Sequence, residues 1–163
     1  MHPYLLSRPY LRTALAVALL VMTLGVSLGL VLVADTTGGS PSGTIAHFQG
    51  DSPTPEDPIP MAYPMPLKEL LITTHNHIIT FTFIFGVLLL ILELSGAARD
   101  PRIQRWMWEP FVSIAVTFGS MWGIRYLHAS FFYLMLLSST LLYLSYYIIV
   151  GLILRALLKK NPA

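Results

Sequence analysis

Thr73-Thr74-His75-Asn76-His77 places two imidazoles and a carboxamide at the mouth of an apolar segment. That segment continues as Ile78-Ile79-Thr80-Phe81-Thr82-Phe83-Ile84-Phe85-Gly86 and then a purely aliphatic run. Polar groups embedded in such a segment are costly to leave unpaired, and they usually face other protein or a cofactor. A further imidazole stands at the end of Trp122-Gly123-Ile124-Arg125-Tyr126-Leu127-His128, where Arg125 is the one cation inside an apolar stretch. Imidazole binds metals and haem iron, and a guanidinium matches carboxylates such as haem propionates.

Helical spacing limits what these residues can do together. His75 and His77 are two positions apart, about 200° around a helix, so a regular helix cannot aim both at one ion. His77 shares its face with Phe81, Ile84 and Leu88, and His128 shares its face with Met121 and Thr117. Two imidazoles from different helices, meeting at one height over an apolar slot, would hold a b-type haem. In that expectation His77 and His128 are the axial ligands to iron, His75 is the substitute ligand, and Arg125, aided by Tyr126, neutralises the propionates. Three other readings use the same residues. A purely structural cluster would bond His75 and His77 to Asn76, Thr73, Thr74 and Thr80 across helices, while Arg125 reaches out to headgroups. A copper site would recruit His47, Met61 and Met65 with His75, since thioethers are soft ligands. A quinone site is the remaining option.

The elements that must position these residues follow from composition. The chain has 163 residues, 55% hydrophobic and only 11% charged, with a mean hydropathy of +0.66; these values suit a membrane protein. It has no cysteine, which excludes disulfides, iron–sulfur clusters and thioether-linked haem from this chain. The net charge of +2 does not point to nucleic acid, because the basic residues sit at the ends of apolar segments.

The fold class predicted is all-α, a transmembrane four-helix bundle forming a single membrane domain over residues 1–163. Its spans run at about 11–34, 70–94, 110–126 and 131–154, each near the length of about 20 residues that crosses a bilayer. The first is read as a retained helix, since Leu32-Val33-Ala34 poorly matches a signal cleavage site. Its Gly25 and Gly29 would let another backbone approach. Residues 35–66 hold seven of the twelve prolines and are expected to be an extended outer loop. Pro66 suits the first position of the second helix, residues 95–109 form a short basic connection, and His128-Ala129-Ser130 is a tight turn. Gly119 and Gly123 fall opposite His128 and are expected to be free for packing.

Counting basic residues sets the topology. Four spans put both termini and residues 95–109 on one side, with Arg8, Arg12, Arg99, Arg102, Arg105, Arg155, Lys159 and Lys160, eight of the ten cations. Lys68 and Arg125 remain for the other side, so both termini are expected to be cytoplasmic. Glu93 and Glu109 read as interfacial, which leaves no acidic residue at membrane depth for proton or solute transport. Ser138, Ser139, Tyr143, Ser145, Tyr146 and Tyr147 read as residues that knit helices together. No phosphate loop, nucleophile elbow or zinc-protease motif is present.

The His75-Asn76-His77 opening and the Phe- and Gly-containing helix after it resemble the HxH helix openings of NnrS-like and cbb3-oxidase-related haem proteins. More of the chain resembles small uncharacterised bacterial four-span membrane proteins, which pair a Thr-His-x-His helix with a later segment like Trp122 to His128. The resemblance implies a multi-pass protein of the bacterial inner membrane, tied to respiratory or photosynthetic electron transfer. The leading expectation is a cytochrome b-like electron-transfer subunit with one haem near the outer, periplasmic face. It would contact lipid and other membrane subunits and exchange electrons with quinone or a periplasmic carrier. The alternatives are a cofactor-free accessory subunit of a larger complex and a copper-binding membrane protein.

Overall fold

A computed structural model describes residues 8–51 and 62–159. Met61 and Lys160, which entered the copper and topology expectations, lie outside them. The described chain is helical: α1 (Pro9–Thr37), α2 (Pro41–Gln49), α3 (Leu67–Leu94), a 3-10 turn (Ala97–Arg99), α4 (Pro101–Trp106), α5 (Glu109–Tyr126) and α6 (Phe131–Leu158). Three of these, α1, α3 and α6, are long and apolar enough to cross a membrane. They match the spans expected at 11–34, 70–94 and 131–154. The stretch expected as a further span, 110–126, is the 18-residue α5, which carries a charged residue near each end, Glu109 and Arg125.

Helix ends follow local chemistry. α1 stops where Gly38 adopts the left-handed conformation (φ 60°), and its N–H bonds to the Asp35 carbonyl. At α2, Pro41 opens the helix and the Ser40 hydroxyl accepts from the Gly43 N–H, so Ser40 caps it. α3 starts one residue later than expected, with Pro66 as its N-cap. The Asp100 side chain caps α4 by accepting from the Arg102 N–H. Leu127–Ser130 makes the tight turn from α5 into α6.

Antiparallel α5 and α6 form the centre, and α3 packs against both. The core joins Phe81, Phe85, Leu88 and Leu92 of α3 to Ile114 and Phe118 of α5 and to Leu142, Tyr146, Val150, Ile153 and Leu157 of α6. Their spacing of three, four and seven is the stripe by which one helix faces another. α1 is attached more loosely: only Leu19 and Thr37 are buried, and its remaining apolar surface is open, as suits a lipid-facing helix. Where α1 begins and α6 ends, the Arg12 guanidinium donates to the Leu157 and Lys159 carbonyls and closes the last turn of α6.

One expectation needs correction here. Residues 35–66 are not extended throughout. They begin with the last turn of α1 and fold α2 over the opposite end of the bundle, because Phe48 buries itself among Met65, Leu70, Ile124 and Phe132. Gly123 is used for packing as expected, since a Cβ there would run into the Phe131 ring. Its missing side chain is what lets α6 turn back tightly against α5. Gly119, Gly25 and Gly29 do have open space around them.

Candidate functional site

The His-bearing turns of α3 lie near the end of the bundle capped by α2. His75, Asn76 and His77 are all exposed, with Thr73 and Thr74 half-buried. The His77 ring lies over Phe118 of α5, with centroids 5.4 Å apart, and stacks on Phe81 one turn along its own helix at 6.1 Å. Its Nδ1–H donates to the Thr73 carbonyl at 2.8 Å, which leaves the Nε2 lone pair facing outward. That division of the ring is the one metal-ligating histidines adopt. Thr74 takes a different part: its hydroxyl accepts from the Trp122 Nε1–H at 3.0 Å and ties α3 to α5.

His128 is held by its own turn. Its Nδ1 accepts from the Ser130 N–H at 3.1 Å and lies 2.9 Å from the Ser130 hydroxyl, so it braces the start of α6. Arg125 neither faces an open slot nor runs free to the surface. Its Nε donates to the Met65 carbonyl at 3.2 Å, and its guanidinium stands 5.1 Å over the Tyr126 ring, which stacks on Trp122. Together with Gln49, whose amide donates to the Ile124 carbonyl at 2.6 Å, it pins the segment before α3 and the end of α2 onto α5.

His77 lies beside Phe118 of α5. His128 lies past the end of α5, with its N–H bonded back to the Gly123 carbonyl, five residues or about 7.5 Å of helical rise beyond Phe118. The two imidazoles have separate partners, the Thr73 carbonyl for His77 and Ser130 for His128. Two of the residues named for copper lie at the α2 cap. Met65 is buried under α2, and His47 packs edge-on to Phe48 beside an open cleft of about 550 Å³ that also borders Thr37, Asp51 and Tyr63. Among the described residues, no three His, Asp or Glu side chains gather as metal ligands.

A polar cluster that the sequence reading passed over lies on the other side of α5. Glu109 opens α5, and its carboxylate accepts from the hydroxyls of Ser113 on α5 and Ser145 on α6. Ser145 stands twelve residues, about 18 Å, from Leu157, where Arg12 closes the terminal end. α5 therefore begins about halfway along α6. Above Glu109, the Thr117 hydroxyl donates to Ser138 of α6 at 2.9 Å. Residues 109, 113, 117 and 120 fall on one helical face. That spacing was legible in the sequence.

Residues 38–163, running from the end of α1 through α6, match the model of the Aq_1264_TM family, a transmembrane helical domain. No curated protein and no solved structure matches the chain. The chain belongs to that transmembrane family, and it is a multi-pass membrane protein in contact with lipid.

Proposed function

We propose that this member of the family is a non-catalytic helical subunit of a larger membrane assembly, docking through the α2-capped half of α3. The observation that carries this reading is the exposure of His75, Asn76 and His77 on a helix long and apolar enough to cross a membrane. Imidazole and amide groups uncovered by their own chain at such a place call for a partner that hydrogen-bonds them. A polar-faced transmembrane helix of another subunit, of the kind found in respiratory or photosynthetic complexes, meets that need. Extraction in mild detergent should yield a complex containing further polypeptides, and Asn76→Ala with His77→Ala should weaken that association. Recovery of the wild type as a single 18.2 kDa chain would overturn it.

In the orientation we assign, both termini and residues 95–109 face the cytoplasm of a bacterial inner membrane, with α5 counted as a fourth span and residues 38–66 outside. Eight of ten basic residues support that side. An alkaline phosphatase fused after Ala163 should be inactive and one inserted near Asp51 active; the reverse pattern would invert the topology.

A second reading has one observation in its favour, the outward Nε2 of His77. In it the assembly would hold a b-type haem through His77, and the haem would supply one-electron transfer there. A second ligand would come from the partner subunit, with His75 as substitute and Arg125 and His128 holding the outer layer together. The purified, reduced assembly should show haem absorption bands, lost in His77→Ala with membrane insertion intact. An assembly without such bands leaves the docking reading alone.

A further inference from the structure

We infer that the groove between the start of α1 and the end of α6 is a binding site for one anionic phospholipid. Arg12 takes the phosphate, and the α1 face beyond it seats an acyl chain. The groove has a volume of about 270 Å³ and is apolar apart from Arg12 and Thr13. Arg12, Ala16 and Leu20 follow one another in steps of four along one helical face, with Val17 beside them. Leu158 of α6 lines the same groove.

Helix length sets the level of this groove in a bilayer. α1 has 29 residues and α6 has 28, about 43 and 42 Å at the helical rise. A bilayer measures about 40–45 Å with its headgroups and about 30 Å across its hydrocarbon. Helices of that length reach from one headgroup layer to the other. The Arg12 bond to the Leu157 carbonyl holds the first turn of α1 level with the last of α6, so both lie among headgroups. Leu20 stands eight residues further on, about 12 Å deeper, within the hydrocarbon of the same leaflet.

Charge selects the headgroup. Arg12 donates through Nε and Nη2 to the Leu157 and Lys159 carbonyls, which fixes its guanidinium at the groove, while Nη1 carries two further N–H donors. A guanidinium already held in place loses little freedom on taking a phosphate oxygen. Arg155 and Lys159 add positive charge at the end of α6. α6 has no acidic residue, and α1 has only Asp35, near its opposite end. Among the described residues no carboxylate lines the groove. The anion that complements these cations comes from outside the chain, and at headgroup level anionic lipid supplies it.

Shape favours lipid over a protein partner. A second helix is about 10–12 Å across, too wide to enter a groove of this volume, whereas an acyl chain is a single file of methylenes. Ala16 is half-buried and Val17 and Leu20 are exposed, so the chain would lie against a shallow apolar wall open to the bilayer. A free phosphate would meet Arg12 and leave that wall bare. The lipid would also fill the space between α6 and a helix that buries only Leu19 and Thr37. This inference does not depend on the docking or haem readings, since its residues lie on α1 and α6 and not on α3.

Native mass spectrometry of the full chain in mild detergent tests it, with titration by phosphatidylglycerol or by phosphatidylcholine of the same acyl chains. One phosphatidylglycerol should be retained about tenfold more tightly than phosphatidylcholine. Arg12→Gln, which keeps an amide donor for the α6 carbonyls, should level the two lipids. Ala16→Phe, which fills the groove, should weaken both about tenfold. Glycerol phosphate, the headgroup without its chains, should neither bind nor displace the lipid. Circular dichroism and elution position check that each variant folds, and if Arg12→Gln does not, the wild-type preference and Ala16→Phe decide the matter. Equal retention of the two lipids by the wild type overturns the proposal, as does unchanged retention by folded Ala16→Phe. Glycerol phosphate bound as tightly as the lipid, or a dimer that Ala16→Phe dissociates, would overturn it too, by showing a free-anion site or a second copy in the groove.

Discussion

Tyr146→Ala is expected to destabilise the folded chain by about 3–5 kcal/mol, the range for removing a buried aromatic side chain. Tyr146 is fully buried where three helices meet. Its ring stands edge-on to Phe85 of α3 at 6.2 Å, and its hydroxyl lies 3.2 Å from that of Thr23 on α1. Next to it, the Tyr147 hydroxyl lies 2.8 Å from that of Ser27, also on α1. Hydrogen bonds between membrane helices average only about 0.6 kcal/mol, so the ring rather than the hydroxyl should dominate. Tyr146→Phe should therefore cost a small part of what Tyr146→Ala costs. Loss of helical signal during titration with a denaturing detergent measures both, and equal effects of the two substitutions would show that the packing account is wrong. Because α1 buries so little elsewhere, Tyr146→Ala should also free α1 first, seen as faster labelling of a cysteine placed at Leu19.

Phe48→Ala should produce a comparable loss, about 3–5 kcal/mol, confined to the cap. Phe48 is 4% exposed and is the side chain by which α2 reaches Met65, Leu70, Ile124 and Phe132. Without it, Gln49 to Ile124 and Arg125 to Met65 remain as the polar ties near that end. Amide hydrogen exchange across residues 41–49 and 62–66 should quicken, while α5 and α6 keep their protection. Unchanged exchange in the cap would mean that α2 is held by something other than its aromatic anchor. Gly50 is the companion position. It closes α2 at φ 77°, and a Cβ there would lie 2.7 Å from the Pro64 ring. The return of the chain across α2 depends on that missing side chain.

Much of this arrangement was legible before any coordinates. The apolar runs of α1, α3 and α6 exceed the length a bilayer requires, and nothing in their composition competes with a helix. Four of the six residues named as knitting α6 to its neighbours are found bonding α1 and α5: Tyr146 with Thr23, Tyr147 with Ser27, Ser138 with Thr117 and Ser145 with Glu109, whereas Ser139 bonds within its own helix. Those predictions succeed because a hydroxyl on an apolar helix has few partners other than the next helix. The proline-rich composition of residues 35–66 misled locally. A nine-residue helix needs only a cap, an N-terminal proline and one buried aromatic, and these are short-range features that an average over thirty residues conceals.

The sequence by itself determined that this chain is helical, lives in a membrane, and carries imidazoles near one end of α3. Length, apolarity and local caps act within a single element, so they are readable one element at a time. Only the tertiary structure decided relative height. It set His77 against Phe118, and it joined Glu109 at the start of α5 to Ser145 near the middle of α6. Height depends on how far each connection climbs before the next helix starts, and residues 95–108 climb by folding into two short helices rather than lying flat. That choice comes from contacts between distant parts of the chain, with Ala98 buried in the core and Gln104 donating to its carbonyl, and no single segment encodes it.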